Sequence, residues 1–566
     1  MKYKFSLAAL LLLLTALLAV PFVSGGTERV SVLVQAGDVD TAVAIVEAYG
    51  GELNEQLAII NAVSATVPEH ALNAIAADGR TVAIHQDEEA NVAGTTAARH
   101  INQVDATFPE VMGVDEVWAE RIKGQQIGVA IVDTGIANSL WAARRVVARY
   151  DALDNGTWRL DPHGHGTMMA SLIGNSTRDV DGFIGIAPRV KFIDVRALDA
   201  EGKGTYTDII EGLNWILENK DEYNIRVVNL SLLGSISSPY WADPVNQAVE
   251  MLWDAGIVVV AAAGNVGPDA MTIAAPGNDP FVITVGAFTD NYTPDDPSDD
   301  YIAPFSGAGP TEVGFVKPDV VAPGAHMLTY APAHSAWAQE NQDLRVTGNY
   351  YEIAGTSSAT AVTTGLVALM IQENPDMTPN QIKYALMASA QPAAYEDGTL
   401  AWSIFQQGAG RVWAPTAVLN PAEGEANAGM ISGEPYVGPV VYRDGEFILV
   451  DENGEPLADA EGYSWVGGYS WVGGYSWVGG YSWVGGYSWV GGYSWVGGYS
   501  WVGGYSWVGN TDWDEWTQED VWQSGYSWVG GYSWVGGYSW VGGYSWVGGY
   551  SWVGGYSWVG LTSFEE

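Results

Sequence analysis

The segment Gly128–Gly135 reads Gly-Val-Ala-Ile-Val-Asp-Thr-Gly, and it decides the type of fold that we expect. An uninterrupted apolar run is typical of a strand that a parallel sheet buries on both faces. Asp133 ends the run, at the edge of an α/β sheet where reacting groups usually lie. An aspartate there can act in catalysis, and it can equally cap a turn or bind a metal. The segment predicts an α/β fold with a mostly parallel central sheet.

A second segment, His165–Ala170, reads His-Gly-Thr-Met-Met-Ala and begins a predicted helix. Gly164 and Gly166 allow the backbone to turn tightly into that helix. A histidine at a helix start can face a cleft, which makes His165 a candidate catalytic base. Two alternatives stay open, since a single histidine often has only a structural role and His163 lies two residues away.

A third segment, Val258–Asn265, is another predicted buried strand that runs into Ala263, Gly264 and Asn265. Asn265 could form a turn, because asparagine favours such bends. Its side-chain amide could instead donate a hydrogen bond to an oxyanion that develops during acyl transfer.

The fourth segment, Gly355–Ala361, reads Gly-Thr-Ser-Ser-Ala-Thr-Ala and leads into a long apolar helix. Ser357 could cap that helix, which is the usual role of a serine at a helix start. It could also be a nucleophile, because the free N–H groups and the positive end of the helix dipole favour an anion beside its oxygen.

The four segments follow one another in the order Asp, His, Asn, Ser. In this order the sequence resembles the subtilisin-like serine peptidases (subtilases, peptidase family S8) from about residue 111 to residue 418. Other motifs of that family stand between them: Gly185–Pro188, Gly202–Tyr206, Asn229–Gly234, Pro318–Gly324 and Gly408–Val412. The resemblance implies a three-layer subtilisin-like α/β fold over residues 110–420 and the activity of a serine endopeptidase.

The resemblance also implies a role for each candidate residue. Ser357 would attack the scissile carbonyl of a protein or peptide, His165 would accept its proton, and Asp133 would orient His165. Asn265 and the backbone N–H of Ser357 would stabilise the oxyanion, and no cofactor is required. Substrate would lie extended between two strands, against Gly202, Gly204, Ser231, Leu232, Leu233, Gly234, Ala263 and Gly264.

Four positions depart from the family pattern: Met168 replaces a histidine, Leu233 a glycine, Ser358 a methionine and Ala361 a proline. None of these changes removes a reacting group. Leu233 stands beside the expected pocket for the residue that precedes the cleaved bond, so the sequence does not define the specificity at that position.

Subtilases often bind structural calcium, and the segment Asn175–Gly182 is rich in oxygen ligands where a calcium loop often occurs. Asp179 and Asp181 are its candidate ligands. A solvated polar turn is the alternative.

The composition narrows the classes of partner and chemistry. The 566-residue chain has no cysteine, a formal net charge of −43 and only eight lysines. The absence of thiols excludes disulfides, thiolate metal sites and a cysteine nucleophile. The acidic balance argues against nucleic acid and anionic lipid as partners. A salty habitat and cation binding are further interpretations of it.

Residues 1–26 have the pattern of a secretory signal, with Lys2 and Lys4 before an apolar run over Leu7–Val20 and small residues at 24–26. We therefore expect a secreted, extracellular protein, free or attached to the cell surface, with no membrane span after signal removal. An uncleaved N-terminal anchor is the alternative.

Residues 27–100 predict a small ferredoxin-like unit with the element order β-α-β-β-α-β. Its predicted strands are Arg29–Val34, Leu57–Val67 and Thr81–His85, and its predicted helices are Asp40–Tyr49 and Pro68–Ala77. The resemblance implies that this unit is a propeptide that assists folding and inhibits the enzyme. We expect self-cleavage between about Ala90 and Phe108, and a retained binding domain is the alternative.

The composition changes after residue 421. Residues 421–461 predict a linker or a small β unit over Tyr436–Leu449. The hexapeptide Gly-Tyr-Ser-Trp-Val-Gly then occurs eight times from Gly462 and, after an acidic insert at 510–524, six more times to Gly560. The repeats contain no His, Asp or Glu, so we expect no catalysis from the repeat region, residues 462–566.

The repeat is typical of four-residue strands joined by Gly-Gly turns, which would pair Val466 with Tyr469. Both faces of such a sheet would carry aromatic side chains, which favours self-association or attachment to a surface polymer. Three alternatives stay open: carbohydrate binding, an unstructured low-complexity tail, and a solenoid as the geometry.

Two other functions would fit the same chain. A silent protease scaffold that serves in binding has no chemical need to keep Asp133, His165, Asn265 and Ser357 together. An acyl-transferring enzyme would use the same four residues to join peptides.

Overall fold

The computed structural model describes residues 29–93, 106–153, 161–178, 182–394, 400–443, 446–450 and 454, together with six short backbone segments of the repeat region. The chain divides after Gln86 into two compact units. The predicted signal peptide at residues 1–26 and the acidic insert at 510–524 lie outside the described residues, so both stay predictions.

The first unit is a four-stranded antiparallel sheet of order β2-β3-β1-β4 with two helices. Helix α1 lays Ala42, Ile45 and Val46 into the core, and its start is capped by the carboxylate of Asp38. The element order is the β-α-β-β-α-β order that the sequence predicts. The elements are β1 (Arg29–Ala36), α1 (Val39–Ala48), β2 (Glu52–Leu57), β3 (Ala62–Pro68), α2 (Leu72–Ala76) and β4 (Thr81–Gln86).

One predicted strand of this unit is wrong in its bounds. The predicted strand Leu57–Val67 is interrupted by a 3₁₀ turn at Ala58–Ile60, and the preceding strand β2 lies over Glu52–Leu57 instead. The first five residues of β2 are exposed at the edge of the sheet. An exposed edge strand needs no apolar side chains, so its sequence carries no hydrophobic pattern.

The second unit is built around a sheet of order β14 (Tyr301–Ile302), β13 (Ile283–Thr289), β12 (Val258–Ala262), β10 (Ile225–Leu230), β6 (Gly128–Asp133), β8 (Lys191–Arg196) and β7 (Val146–Asp151), in which β15 (Val320–Pro323) also pairs with β13. All pairs are parallel except β13 with β14. Every residue of β6, β12 and β13 is buried, which explains why these strands are largely apolar. The sheet is therefore mostly parallel, as the sequence predicts.

The strands of this unit are β5 (Glu89–Val92), β6 (Gly128–Asp133), β7 (Val146–Asp151), β8 (Lys191–Arg196), β9 (Lys203–Thr205), β10 (Ile225–Leu230), β11 (Leu232–Gly234), β12 (Val258–Ala262), β13 (Ile283–Thr289), β14 (Tyr301–Ile302), β15 (Val320–Pro323), β16 (Met327–Tyr330), β17 (Arg345–Thr347), β18 (Tyr350–Ile353), β19 (Val440–Arg443) and β20 (Glu446–Leu449). Its helices are α3 (Phe108–Val111), α4 (Val114–Ala119), α5 (His165–Gly174), α6 (Tyr206–Tyr223), α7 (Pro244–Asp254), α8 (Ala336–Glu340), α9 (Thr356–Glu373), α10 (Pro379–Ser389), α11 (Ile404–Gln407) and α12 (Ala414–Leu419).

Two groups of helices pack on the sheet. Helix α9 contacts β10, β12, β13 and β15 and also packs against α5 and α12. Helices α6 and α7 pack on each other, and α6 contacts β6, β7 and β10. Residues Thr356–Ile371 of α9 are all buried, which accounts for the long apolar sequence that follows Ser357. This sheet with its helices positions the residues of the site.

The segment after residue 421, for which the sequence left a linker or a small β unit open, packs on the second unit. The backbone N–H groups of Gly438 and Val440 donate to Val313 and Gly314 at 2.8 and 3.1 Å. The N–H of Tyr436 donates to the hydroxyl of Tyr240 at 3.1 Å. Within this segment β19 and β20 pair antiparallel.

In the repeat region the structure describes six short strands: β21 (Tyr463–Ser464), β22 (Tyr469–Trp471), β23 (Tyr475–Trp477), β24 (Ser482–Trp483), β25 (Val547–Gly549) and β26 (Ser557–Trp558). β22 and β23 pair with Trp471 opposite Tyr475. Val466 lies outside the described residues, so its predicted pairing with Tyr469 stays a prediction. Across the part of the chain that the structure describes, no helix has the length and apolarity needed to cross a bilayer.

Candidate active site

Asp133 and His165 are brought together where β6 ends and α5 begins. Nδ1 of His165 lies 2.8 and 2.9 Å from the two carboxylate oxygens of Asp133, and both side chains are buried. The two segments approach closely at Gly166, where an added Cβ would lie 2.2 Å from the carbonyl oxygen of Gly135. Only glycine permits this approach, which explains the glycine after His165.

Ser357 lies in the first turn of α9 and is fully buried. Its Oγ donates a hydrogen bond of 2.8 Å to the carbonyl oxygen of Ala93. Nε2 of His165 has no hydrogen-bond partner among the described residues. The hydroxyl of Ser357 is thus engaged by a backbone carbonyl, and the histidine nitrogen that would accept its proton is available.

Asn265 follows β12 and is held by Thr356, the neighbour of Ser357. Its side-chain oxygen accepts hydrogen bonds of 2.9 Å from both the backbone N–H and the hydroxyl of Thr356. Those two donors fix which end of the amide carries the oxygen, so the NH₂ group is left as the donor for other acceptors. This is the orientation that an oxyanion donor requires.

Strand β5, from the chain's own residues Glu89–Val92, lies between β9 and β11 and pairs antiparallel with both. Ala90 lies opposite Gly204 on one side and Gly234 on the other. The N–H of Val92 donates to Gly202 at 2.9 Å, and the N–H of Ala93 donates to Ser231 at 3.1 Å.

The predicted substrate-binding residues are thereby brought together on two strands. Leu232, Leu233 and Gly234 pair with Val92, Asn91 and Ala90. Gly234 also faces Tyr206, whose hydroxyl would lie 2.7 Å from an added Cβ. Ala263 and Gly264 stand beside Asn265 instead, and the N–H of Gly264 donates to the hydroxyl of Thr356 at 3.3 Å.

A chain of buried hydrogen bonds connects the strand that pairs with β5 to the helix of Ser357. The hydroxyl of Ser231 donates to the carbonyl oxygen of Ser357 at 3.0 Å and accepts from the amide of Asn229 at 2.9 Å. Asn229 in turn accepts from Thr364 of α9 at 2.9 Å. These bonds link the segment that leads into β11 to the helix that carries Ser357.

With this geometry in place, comparison with known proteins decides the family. The family model described as the Subtilase family matches residues 124–410. The chain belongs to the subtilase family. The matched residues lie within the 111–418 span over which the sequence resembles subtilases.

Several subtilases resemble this one along most of their length. The serine protease AprX of Bacillus subtilis is 35% identical over 63% of this chain and 79% of its own. An extracellular serine proteinase of a Thermus strain is 32% identical over 59% of this chain and 72% of its own. This subtilase is accordingly a serine-type endopeptidase, a hydrolase.

The fold has a counterpart among solved structures. The crystal structure of fervidolysin from Fervidobacterium pennivorans, a keratinolytic enzyme related to subtilisin, superposes with a TM-score of 0.58. The two chains are 22% identical, and the match covers 74% of this subtilase and 67% of fervidolysin. The likeness shows that the mixed, mostly parallel sheet with its helices is a subtilisin-like fold.

His163, the competing histidine of this subtilase, does not contact Asp133 through a hydrogen bond; its ring centre lies 6.3 Å from that of His165. Burial, with the nearby His165 as a smaller cause, lowers the pKa of His163 to about 4. It is therefore neutral at ordinary pH, and the geometry favours His165 as the base.

The calcium hypothesis for this subtilase stays a prediction, because Asp179 and Asp181 lie outside the described residues. Within the ranges that the structure covers, no three His, Asp or Glu side chains are grouped so that they could hold a metal ion.

Sequence reasoning missed three residues of the site: Thr356, Thr134 and Asp161. Thr356 orients Asn265, whereas Thr134 and Asp161 bridge the segments of Asp133 and His165. Thr134 and Thr356 each adjoin a predicted site residue, and Asp161 lies four residues before His165. Their proximity in sequence was the available signal, but only the fold shows what they contact.

Proposed function

We propose that this subtilase is a secreted zymogen whose catalytic residues are Asp133, His165 and Ser357, with Asn265 as an oxyanion donor. Its first substrate is its own chain, cleaved between Ala93 and Gly94. The observation that carries the proposal is the 2.8 Å hydrogen bond from Oγ of Ser357 to the carbonyl oxygen of Ala93. A serine in contact with a backbone carbonyl at the end of an extended strand is arranged as an enzyme with its substrate.

The contacts upstream of Ala93 support a substrate-like segment. The carbonyl of Glu88 accepts from the N–H of Tyr206 at 2.9 Å, and the carboxylate of Asp87 accepts from the N–H of Thr207 at 3.0 Å. Glu89 forms an exposed ion pair with Lys203 at 3.2 Å. With β5, these contacts hold a continuous extended segment that ends at the serine.

The reaction follows from the arrangement of the side chains. Oγ of Ser357 attacks the carbonyl carbon of Ala93 while Nε2 of His165 accepts the hydroxyl proton, and Asp133 stabilises the imidazolium. His165 then gives the proton to the nitrogen of Gly94, and the peptide bond breaks to leave an ester between Ser357 and Ala93. Water, activated by His165, hydrolyses the ester and restores the serine.

Two groups stabilise the oxyanion in this mechanism. The amide NH₂ of Asn265 is oriented by Thr356, and the N–H of Ser357 lies in the first turn of α9, where backbone donors have no partner within the helix.

The product strand supports an inhibitory role for residues 27–93. After cleavage, β5 would still fill the space between β9 and β11, because its main-chain hydrogen bonds do not involve the broken bond. Other substrates would therefore have to wait until this segment dissociates or is degraded. The name of the Thermus relative, an extracellular proteinase, agrees with secretion.

For the repeat region we propose association with other chains or attachment to a surface. Fourteen identical copies offer Tyr and Trp at a regular spacing. Repeated strands that carry aromatic side chains tend to form sheets that stack on one another. A carbohydrate partner is the competing outcome in a binding test.

The mature N-terminus tests the proposal directly. Full-length wild-type protein is expected to yield a species that begins at Gly94, whereas Ser357→Ala stays uncut. Ser358→Ala is the matched control, because Ser358 is equally buried and its hydroxyl has no partner in the described chain; it should process normally. A Gly94 N-terminus in purified Ser357→Ala, or equal casein hydrolysis by that variant and wild type, would overturn the assignment.

A further inference from the structure

Asp161 is a fully buried carboxylate that is saturated with hydrogen bonds. Oδ1 accepts from the hydroxyl of Thr134 at 2.8 Å and from the N–H of Gly164 at 2.7 Å. Oδ2 accepts from the N–H and the hydroxyl of Thr167 at 2.9 and 2.5 Å. One side chain thus contacts the segment of Asp133 and the segment of His165 at the same time.

Thr134 carries this connection to Asp133. Its N–H donates to the Asp133 carboxylate at 2.8 Å, and its hydroxyl accepts from the N–H of Gly166 at 2.9 Å while donating to Asp161. Thr167 adds a second link, because its hydroxyl accepts from the N–H of Ala137 at 2.8 Å. These hydrogen bonds link the segment that carries Asp133 to the segment that carries His165 at two places.

From this geometry we infer that Asp161 is a positioning residue, which sets the relative placement of Asp133 and His165 and thereby the rate of acyl transfer. None of these four hydrogen bonds joins Asp161 to Ser357 or to the substrate strand β5. Asp161 acts on the Asp133–His165 pair through Thr134, Gly164 and Thr167. The inference rests on the proposed roles of Asp133 and His165.

The chemistry of the site requires a carboxylate. Four donor groups from three residues contact Asp161, and a carboxylate can accept hydrogen bonds at both oxygens. Burial raises the pKa of Asp161, and the hydrogen bonds from Thr167, Gly164 and Thr134 counteract that rise. In Asp161→Asn an NH₂ group would face one pair of donors, so either the Thr134 link or the Thr167 link would be lost.

Thr134 supplies a matched pair of variants. Thr134→Ser keeps the hydroxyl that donates to Asp161 and accepts from Gly166, whereas Thr134→Val keeps the shape and removes both hydrogen bonds. Both variants leave Asp133, His165 and Ser357 unchanged. A difference in kcat between them therefore reports the positioning of these residues and not the loss of a reacting group.

The experiment compares kcat and KM on a peptide substrate for full-length chains that a trace of wild-type enzyme has processed. We expect kcat of Asp161→Asn and Thr134→Val to fall on the order of 10²-fold, the usual consequence of displacing a reacting group by about 1 Å. KM should change by less than about threefold, and Thr134→Ser should restore kcat to near the wild-type value. The double variant with Asp161→Asn and Thr134→Val should have a kcat only slightly below that of the more impaired single variant, because both substitutions break the same link.

Thr284→Val controls for a general loss of stability. Thr284 is also fully buried, and its hydroxyl donates to Gly277 at 2.6 Å and accepts from Lys317 at 2.8 Å. It should lower Tm without changing kcat.

If Asp161→Asn and Thr134→Val lower Tm in the same way but keep kcat, the positioning role is overturned. If Asp161→Asn fails to fold, the Thr134→Val and Thr134→Ser pair decides alone, and equal kcat in these two contradicts the inference. Failure of the proposed function is distinguishable, since Ser357→Ala would then cleave as well as wild type.

Discussion

The hydroxyl of Ser357 bonds to the carbonyl oxygen of Ala93, and not to His165. The serine therefore meets the residue whose carbonyl it would attack, on a strand held by the N–H of Ala93 and its partner Ser231.

The first prediction concerns Ala93. Ala93→Pro removes the N–H that donates to Ser231 at 3.1 Å and cannot take the strand geometry freely, so processing at this bond should stop. Ala93→Ser keeps the N–H and adds one oxygen, and it should be processed at a rate near wild type. Mass spectrometry of the secreted products follows both. Cleavage of Ala93→Pro at the same bond and rate would contradict the assignment of this strand as substrate.

The second prediction concerns Asn265. Asn265→Ala should lower kcat by about 10²–10³-fold with little change in KM, because the variant loses the donor that we propose for the developing oxyanion. Asn291→Ala serves as the control, since Asn291 is an exposed asparagine of the β13–β14 connection. Steady-state kinetics on the processed enzymes measure the effect. A large rise in KM at constant kcat would instead indicate that Asn265 binds the ground state.

The third prediction concerns the pH dependence of stability and Glu312, a buried carboxyl group with a raised pKa. Burial raises its pKa to about 8, although hydrogen bonds from Asn278 and the Tyr240 N–H oppose the rise. Since the folded state holds the proton more tightly than the unfolded state, this group contributes stability at low pH that is lost as pH rises from about 4.5 to about 8. The loss is on the order of several kcal/mol.

Glu312→Gln tests this pH dependence. Oε1, which accepts from Tyr240 and Asn278 at 3.1 and 3.0 Å, can be kept as an amide oxygen, and Oε2 has no partner in the described chain. In the Ser357→Ala background, to avoid self-digestion, urea unfolding should show a smaller fall in the free energy of unfolding between pH 5 and 8.5 for the variant. Parallel curves for the two proteins would show that Glu312 does not titrate in this range.

The fourth prediction distinguishes the two parts of the C-terminal region. A chain that ends at residue 460 should keep the wild-type kcat and Tm, because the repeats contain no His, Asp or Glu and the described residues of the site all precede residue 365. A chain that ends at residue 420 should have a lower Tm, because it loses the hydrogen bonds of Tyr436, Gly438 and Val440 to the second unit. Thermal unfolding and casein hydrolysis compare them, and equal Tm values for the two truncated chains would contradict the packing role.

Association through the repeats is tested by comparing the full-length chain with the chain that ends at residue 460. The full-length chain should sediment as larger species or bind to a surface polymer, and the chain ending at residue 460 should not. Soluble polysaccharide that releases the full-length chain would favour carbohydrate binding over self-association.

The sequence predicted those parts of the molecule whose local pattern has one interpretation. The apolar run that ends at Asp133 defined a buried parallel strand, and the long apolar helix after Ser357 followed from its composition. Strand β2 could not be predicted in the same way, because its side chains face water and show no periodicity. Its location depends on pairing with β3, which is a long-range property.

The residues of the site differ in the same way, since some stand in a local sequence motif and others are recognised only in the fold. The order of Asp133, His165, Asn265 and Ser357 was visible in the sequence, because each stands in a distinctive motif. Asp161 was not, since its importance lies in hydrogen bonds to Thr134 and Thr167 that only folding creates. For the same reason the sequence predicted self-cleavage only between about Ala90 and Phe108, and the proposal of Ala93 rests on its contact with Ser357.

Strands β9 and β11 do not pair with each other; β5 separates them and satisfies an edge of each. If β5 leaves after the cleavage that we propose, two open strand edges would face one gap. Such a gap accepts a polypeptide only if its backbone is extended and unpaired over a length like that of Glu89–Ala93. Compact proteins would therefore be cut where a loop or a locally unfolded region can enter, so the stability of a target protein becomes part of its susceptibility.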